Sequence, residues 1–169
     1  VLPYEISEGE IYKCAYIIHS QTGPGGSDFA LIQLDRPVAN HLPLSIRQSG
    51  KVATGDPLIV IGHPSGLPTK VAGGGQVRDN SPTSYFVTNL DTYGGNSGSS
   101  VFNANTGEIE GVLVRGENDF VSQGSCTVSN RCLDEGCRGE EVTRISEILP
   151  YLRVNNPNPP SGEEEYVSQ

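Results

Sequence analysis

Short apolar runs alternate with turn residues along this chain. Six of them span residues 10–19, 28–34, 57–62, 84–90, 99–103 and 109–115. They are rich in β-branched or aromatic side chains and are bounded by Gly, Pro, Asn or Asp, which is typical of β-strands separated by turns. Several short strands at this spacing predict an all-β fold, either an antiparallel barrel or a sandwich.

One stretch near the C-terminus has helical periodicity instead. Its apolar positions follow the i, i+3, i+4, i+7 spacing of an amphipathic helix, and they are Val142, Ile145, Ile148, Leu149 and Leu152. We expect Glu140 and Glu141 to lie in the first turn, near the positive end of the helix dipole. Pro150 should limit how far the helix continues. Residues 154–169 hold few large apolar side chains but several Pro and Glu, which predicts a disordered acidic tail.

Length and charge narrow the function classes. A chain of 169 residues allows one domain, or two small subdomains that share a core. The net charge of −9 argues against a nucleic-acid partner, because phosphate contacts dominate the affinity of such proteins. The apolar runs are too short to span a membrane.

Four cysteines indicate an oxidising compartment. Cys126, Cys132 and Cys137 crowd into one polar segment, while Cys14 lies far away in the sequence. The spacing lacks the tight Cys pairs and nearby His of a zinc site, so we expect no metal. A surface loop closed by disulfides fits better and favours a secreted or periplasmic protein. The four thiols allow three pairings, and Cys14 could have its partner outside this chain.

The segment Asp91-Thr-Tyr-Gly-Gly-Asn-Ser-Gly-Ser-Ser100 concentrates the chemistry. A flexible Gly/Ser/Asn turn is the simplest interpretation. However, Ser97 stands between glycines, and an apolar strand follows at once. A nucleophilic hydroxyl needs a tight turn that exposes it, together with backbone N–H groups that can hold an oxyanion. Glycine permits both the turn and the close approach of a substrate.

These residues resemble a known family. GGNSGSSVFN followed by EGVLVRG resembles the nucleophile segment of chymotrypsin-fold serine peptidases, nearest to the bacterial trypsin-like and glutamyl-endopeptidase-like branch. SDFALIQLDRPV resembles the segment with the catalytic Asp, and IGHPSGLPTK resembles the first strand of the second barrel. The resemblance runs in one consistent order from about Glu8 to Leu152. It implies a double antiparallel β-barrel with a C-terminal helix and an incomplete first barrel in this chain. Residues 1–50 would be the remainder of that first barrel, residues 51–153 the second barrel and helix, and residues 154–169 the tail.

The resemblance also implies roles for individual residues. Ser97 would be the nucleophile and Asp28 the acid that orients the catalytic His, with Asp35 as the competing carboxylate. The N–H groups of Gly95 and Ser97 would form the oxyanion hole. No cofactor is implied.

The resemblance places three further residues in the substrate pocket. They are Asp91, Arg115 and Gly116. An acid at the position of Asp91 selects Arg or Lys before the scissile bond, whereas Arg115 could instead receive an acidic side chain. We favour basic substrates. Asn96 stands where animal trypsins carry the Asp that pairs with a freed N-terminus, so any zymogen control should work in another way.

One element of the family pattern is missing. The catalytic His of the family lies well upstream of the Asp in a Thr-Ala-x-His-Cys-like segment, and His19, His41 and His63 do not match it. Val1 is not Met, which suggests processing or a fragment. We expect one chain of a two-chain enzyme, with the His on an N-terminal fragment of the same precursor and with protein or peptide substrates.

Two alternatives to this enzyme stay open. The first is a catalytically inactive relative that binds peptides in the cleft without cutting them. The second is an esterase that uses the same serine. The esterase is disfavoured because the pattern Gly-x-Ser-x-Gly is not matched.

Overall fold

The computed structural model describes residues 5–23 and 26–155, and gives only the backbone of residues 153–155. From residue 156 onward, the predicted acidic tail lies outside the described residues. The described chain forms ten strands and one α-helix, together with short 3₁₀ turns at Glu8–Glu10, Pro64–Gly66 and Ile145–Glu147. The elements are β1 Cys14–Gln21, β2 Phe29–Leu34, β3 Pro57–Gly62, β4 Lys70–Asp79, β5 Tyr85–Thr88, β6 Ser100–Asn103, β7 Ile109–Arg115, β8 Phe120–Gln123, β9 Cys126–Ser129, β10 Glu140–Arg144 and α1 Leu149–Asn155.

Six strands form a closed antiparallel barrel in the order β10-β5-β4-β3-β6-β7. Alternate residues of β5 and β6 point inward, which is the period of two expected for strands with one buried face. Closure pairs every strand on both sides and removes exposed edges. The interior is apolar and includes Val52, Leu58, Val60, Val77, Phe86, Leu90, Val101, Leu113 and Val142. The all-β barrel prediction is therefore confirmed.

The first two strands form a separate sheet. β1 pairs with β2 alone, in a register from Cys14 opposite Leu34 to Gln21 opposite Phe29. Phe29 packs with Ile145 and Ile148 in a second apolar cluster. The sheet nevertheless leaves large apolar side chains in solvent, including Tyr16 at 57% exposed and Ile17 at 60%. Within the described residues this sheet is an open pair of strands and not a barrel.

The C-terminal helix is confirmed, but its predicted start is wrong. Glu140, Glu141 and Val142 belong to β10, which pairs with both β5 and β7 and thereby closes the barrel. The helical spacing spans two apolar clusters, because Val142 faces the barrel core whereas Ile145 joins the second cluster. The helix begins only at Leu149. Pro150 lies in its first turn, where the N–H that proline lacks is not needed.

The cysteine-rich segment is a surface loop with one disulfide. Cys132 and Cys137 are bonded, whereas Cys14 and Cys126 are free and exposed in the described structure. This confirms that a disulfide closes the loop and leaves two thiols open to other partners. No helix in the described part of the chain is long and apolar enough to cross a membrane.

Candidate active site

Ser97 lies on a tight, glycine-dependent turn before β6. Gly95 and Gly98 have φ angles of +96° and +90°, a region that side-chain-bearing residues rarely adopt. A Cβ at Gly95 would also lie only 2.8 Å from the backbone nitrogen of Ser65. The turn leaves Ser97 exposed, and its Oγ donates a hydrogen bond to the carbonyl oxygen of Val114 at 3.0 Å.

Two hydrogen bonds fix Gly94, the residue that precedes this turn. The carbonyl oxygen of Gly94 accepts a bond from Ser65 N at 2.7 Å, and Gly94 N donates to Asp119 Oδ2 at 2.7 Å. A trans peptide directs its C=O and N–H groups to opposite sides, so the N–H of Gly95 points away from Ser65. Neither this N–H nor that of Ser97 donates to a partner within the described residues. Both amides are thus available to an anionic oxygen.

Asp28 lies immediately before β2 and is half-buried. Its backbone N–H donates to Thr143 Oγ1 at 3.0 Å, and the same hydroxyl donates to the Asp28 carbonyl oxygen at 3.0 Å. Ser27 Oγ adds a 2.6 Å bond to Glu147 Oε2. These contacts anchor the start of β2 to the second barrel. The Asp28 carboxylate itself accepts no hydrogen bond from a described residue.

The competing carboxylate, Asp35, has local partners. Its Oδ1 lies 3.2 Å from Arg36 Nη1 and accepts a 3.2 Å bond from Lys13 N. Asp35 therefore stabilises the turn after β2, whereas the Asp28 carboxylate has no such partner among the described residues.

Ser97 and Asp28 both attach to the β7–β10 pair. Thr143, which holds Asp28, is paired with Val112 of β7. Ser97 bonds with Val114, two residues further along the same strand. This separation corresponds to about 7 Å of strand. The residues that anchor the two predicted catalytic residues therefore lie close together on β7 and β10.

A small cavity of about 80 Å³ opens beside Ser97. Its walls include Thr92, Gly116 and Glu140. Gly116 is required for this shape, because a Cβ there would overlap the Glu140 carboxylate. Of the three residues predicted for the substrate pocket, Gly116 and Arg115 line this cavity.

Asp91 lines an adjoining cavity. It is exposed, and this wider cavity of about 480 Å³ shares five lining residues with the smaller one, including Thr92 and Glu140. Its side chain therefore does not line the cavity that contains Ser97.

Arg115 borders the small cavity, but its guanidinium is engaged elsewhere. Nε lies 3.1 Å from Glu141 Oε2, and Nη2 donates to the carbonyl oxygen of Gly26 at 2.9 Å. Arg115 thus joins the barrel to the segment before β2. Its guanidinium is therefore already paired with groups of the described chain.

Sequence reasoning missed Glu140, which it assigned to a helix. Glu140 is the first residue of β10 and is half-buried. Burial raises the pKa of its carboxyl above the ordinary value, and the Asp119 charge adds to this. The Thr92 hydroxyl, which donates to Glu140 Oε2 at 2.6 Å, and the charge of Arg138 act in the opposite direction. The local sequence carried no signal for this placement.

A family model described as "trypsin-like peptidase domain" matches residues 6–112. This range covers more than half of the chain and contains both Asp28 and Ser97. The chain belongs to the trypsin-like peptidase family. The predicted family is therefore confirmed.

Solved structures of trypsin-like peptidases share the fold. The Rv3671c protease of M. tuberculosis in an inactive form is 16% identical, with a TM-score of 0.53, over 89% of this chain and 68% of that one. Its active form is 17% identical, with a TM-score of 0.54, over 87% of this chain and 59% of that one. A serine endoprotease from Yersinia pestis is 18% identical, with a TM-score of 0.56, over 77% of this chain and 42% of that one. The chain thus spans between about two fifths and two thirds of these proteins. A comparison with curated protein sequences found no significant match.

A trypsin-like peptidase needs a general base beside its serine. The three histidines have other partners: His19 stacks on Tyr151 with ring centroids 3.8 Å apart, His41 Nε2 lies 3.3 Å from Glu10 Oε2, and His63 Nδ1 lies 3.2 Å from the Leu67 carbonyl oxygen. In the described part of the chain none of these rings bonds with Ser97. No group of three or more His, Cys, Asp or Glu side chains there could hold a metal ion.

Proposed function

We propose that this chain is the nucleophile-bearing part of a serine endopeptidase that acts through an acyl-enzyme. The main support is the exposed Ser97 hydroxyl on a tight, glycine-dependent turn, together with the amides of Gly95 and Ser97, which have no partner among the described residues. Ser97 Oγ attacks the carbonyl carbon of the substrate, and its proton passes to a histidine. The amides stabilise the oxyanion that forms.

The remaining steps follow from the same groups. The tetrahedral intermediate collapses, the C–N bond breaks, and the histidine gives its proton to the leaving amine. Water then attacks the acyl ester, with the histidine again as base, and Ser97 regains its proton. Asp28 accepts a hydrogen bond from the histidine and stabilises its charged form. The unpartnered Asp28 carboxylate supports this role.

The histidine comes from an N-terminal fragment of the same precursor. The open β1–β2 sheet supports this proposal, because its exposed Tyr16 and Ile17 offer an apolar surface to the further strands of a first barrel. Edge strands with large exposed apolar side chains are a liability unless another chain covers them. The free, exposed Cys14 on β1 could form a disulfide with that fragment. The disulfide within the Cys132–Cys137 loop supports a secreted or periplasmic location.

Two pairs of variants test the catalytic roles in the enzyme together with its N-terminal fragment. Ser97→Ala should abolish fluorophosphonate labelling, whereas Ser122→Ala, at an exposed serine of β8, should leave labelling unchanged. Asp28→Asn should lower kcat on the order of 10⁴-fold. Asp35→Asn should leave kcat within about two-fold, because Asp35 supports only a surface turn. Near-normal turnover in Ser97→Ala or Asp28→Asn would overturn the assignment.

A peptide-binding relative without activity is the second candidate. The observation that favours it is the hydrogen bond from Ser97 Oγ to Val114, with each histidine engaged elsewhere. Peptide binding without labelling, even when the fragment is present, would establish this candidate instead.

A further inference from the structure

We infer that Glu140 is the carboxylate that binds a basic substrate side chain in the cavity beside Ser97. This assignment names the substrate class of the proposed peptidase and therefore rests on that function. It differs from the expectation drawn from family resemblance, in which Asp91 has this role. Three features of the cavity support Glu140.

The first feature is position. Glu140 and Ser97 line the same 80 Å³ cavity, whereas Asp91 does not. The Glu140 carboxylate occupies the space that a Cβ at Gly116 would need. Thr92 Oγ1 holds it from the opposite side with a 2.6 Å hydrogen bond. A ligand that enters the cavity beside Ser97 thus meets Glu140 at a fixed position.

The second feature is the remaining hydrogen-bonding capacity of Glu140. A carboxylate has about four acceptor positions. Thr92 and the backbone amide of Glu117 occupy some of them. The other two carboxylates of the cavity have backbone partners of their own, because Asp119 accepts from Gly94 N and Glu117 accepts from Asn118 N. Glu140 therefore retains acceptor positions for a further donor.

The third feature is charge. Arg115, which lines the cavity, is paired with Glu141 instead. Arg138 donates to the Gly116 carbonyl oxygen and, through its backbone, to Glu117. Burial disfavours the charged form of Glu140, as its raised pKa reflects. A cation in the cavity would offset that cost, and charge interactions are stronger in a partly desolvated site.

Benzamidine, a small aromatic cation, tests this inference by isothermal titration calorimetry. Binding needs neither the histidine nor an active serine, so Ser97→Ala protein serves equally well. Glu140→Gln should weaken binding on the order of 10- to 100-fold, the usual effect of losing a charge-assisted hydrogen bond. Asp91→Asn is the matched control and should change the dissociation constant by less than about two-fold. Gly116→Ala, which displaces the Glu140 carboxylate, should weaken binding as Glu140→Gln does.

The outcomes separate the inference from the function. No benzamidine binding by the wild-type chain, or a loss caused by Asp91→Asn and not by Glu140→Gln, would overturn the role of Glu140 whatever the activity. Binding that depends on Glu140 in a protein that fluorophosphonate never labels would uphold the cation site and contradict the peptidase.

Discussion

Thr143 links the predicted catalytic Asp28 to the barrel, and replacing it should measure the strength of that link. Thr143 is fully buried. Its single hydroxyl accepts from Asp28 N and donates to the Asp28 carbonyl oxygen, both at 3.0 Å. Thr143→Val keeps the shape of the side chain but removes both hydrogen bonds.

The expected cost follows from these two bonds. A hydrogen bond contributes about 1 kcal/mol net, and leaving a buried group unpaired costs at least as much. Asp28 is half-buried, so water replaces part of the loss. We expect Thr143→Val to lower the free energy of unfolding by about 2 kcal/mol. With a urea m-value of about 2 kcal/mol/M, the unfolding midpoint should fall by about 1 M.

Thr143→Ser is the matched control for this variant. It retains the hydroxyl and loses only a buried methyl group, which costs about 0.8 kcal/mol. Urea unfolding followed by circular dichroism compares the two variants. In the enzyme with its N-terminal fragment, Thr143→Val should also lower kcat, whereas Thr143→Ser should not. If Thr143→Val were no less stable than Thr143→Ser, the hydroxyl would not be holding Asp28 and the reasoning would fail.

Three further predictions concern the barrel. Arg47→Met should destabilise the fold by about 3 kcal/mol, because it leaves the buried Glu110 carboxylate without its two-pronged partner at 2.5 and 2.7 Å; an unchanged urea midpoint would contradict this. Gly111→Ala should lower the melting temperature by several degrees, because its Cβ would overlap a carbonyl oxygen of β10; an unchanged melting temperature would show that the strands separate freely. Burial and the Asp119 charge raise the pKa of Glu140, so the folded state holds that proton more tightly than the unfolded chain. The resulting stabilisation is full below the ordinary Glu pKa and is lost as pH rises through the raised value. Glu140→Gln should therefore gain stability relative to the wild type as pH rises above the ordinary Glu pKa, as measured by urea midpoints. A stability difference that stays constant with pH would refute the raised pKa.

The sequence predicted the barrel well because strand signals are local. Runs such as residues 57–62 and 109–115 combine β-branched side chains with flanking turn residues, and each became a strand. The turn that holds Ser97 could also be predicted from the sequence, because the positive φ angles of Gly95 and Gly98 favour glycine.

The parts of the fold and site that the sequence did not predict depend on contacts between distant segments. Val142 and Ile145 have helical spacing, but pairing of β10 with two strands overrides it. Glu140 therefore came to the cavity beside Ser97 through barrel closure, which no local pattern around residue 140 reveals. Similarly, the ion pair between Arg115 and Glu141 depends on the register between β7 and β10.

The most direct test of the central claim is an intact-mass measurement on the native, non-reduced protein after exposure to a fluorophosphonate. The account predicts one adduct per molecule, located at Ser97 by peptide mapping, together with a second co-purifying fragment that carries a histidine. A native protein that contains that fragment and forms no adduct at Ser97 would contradict the account.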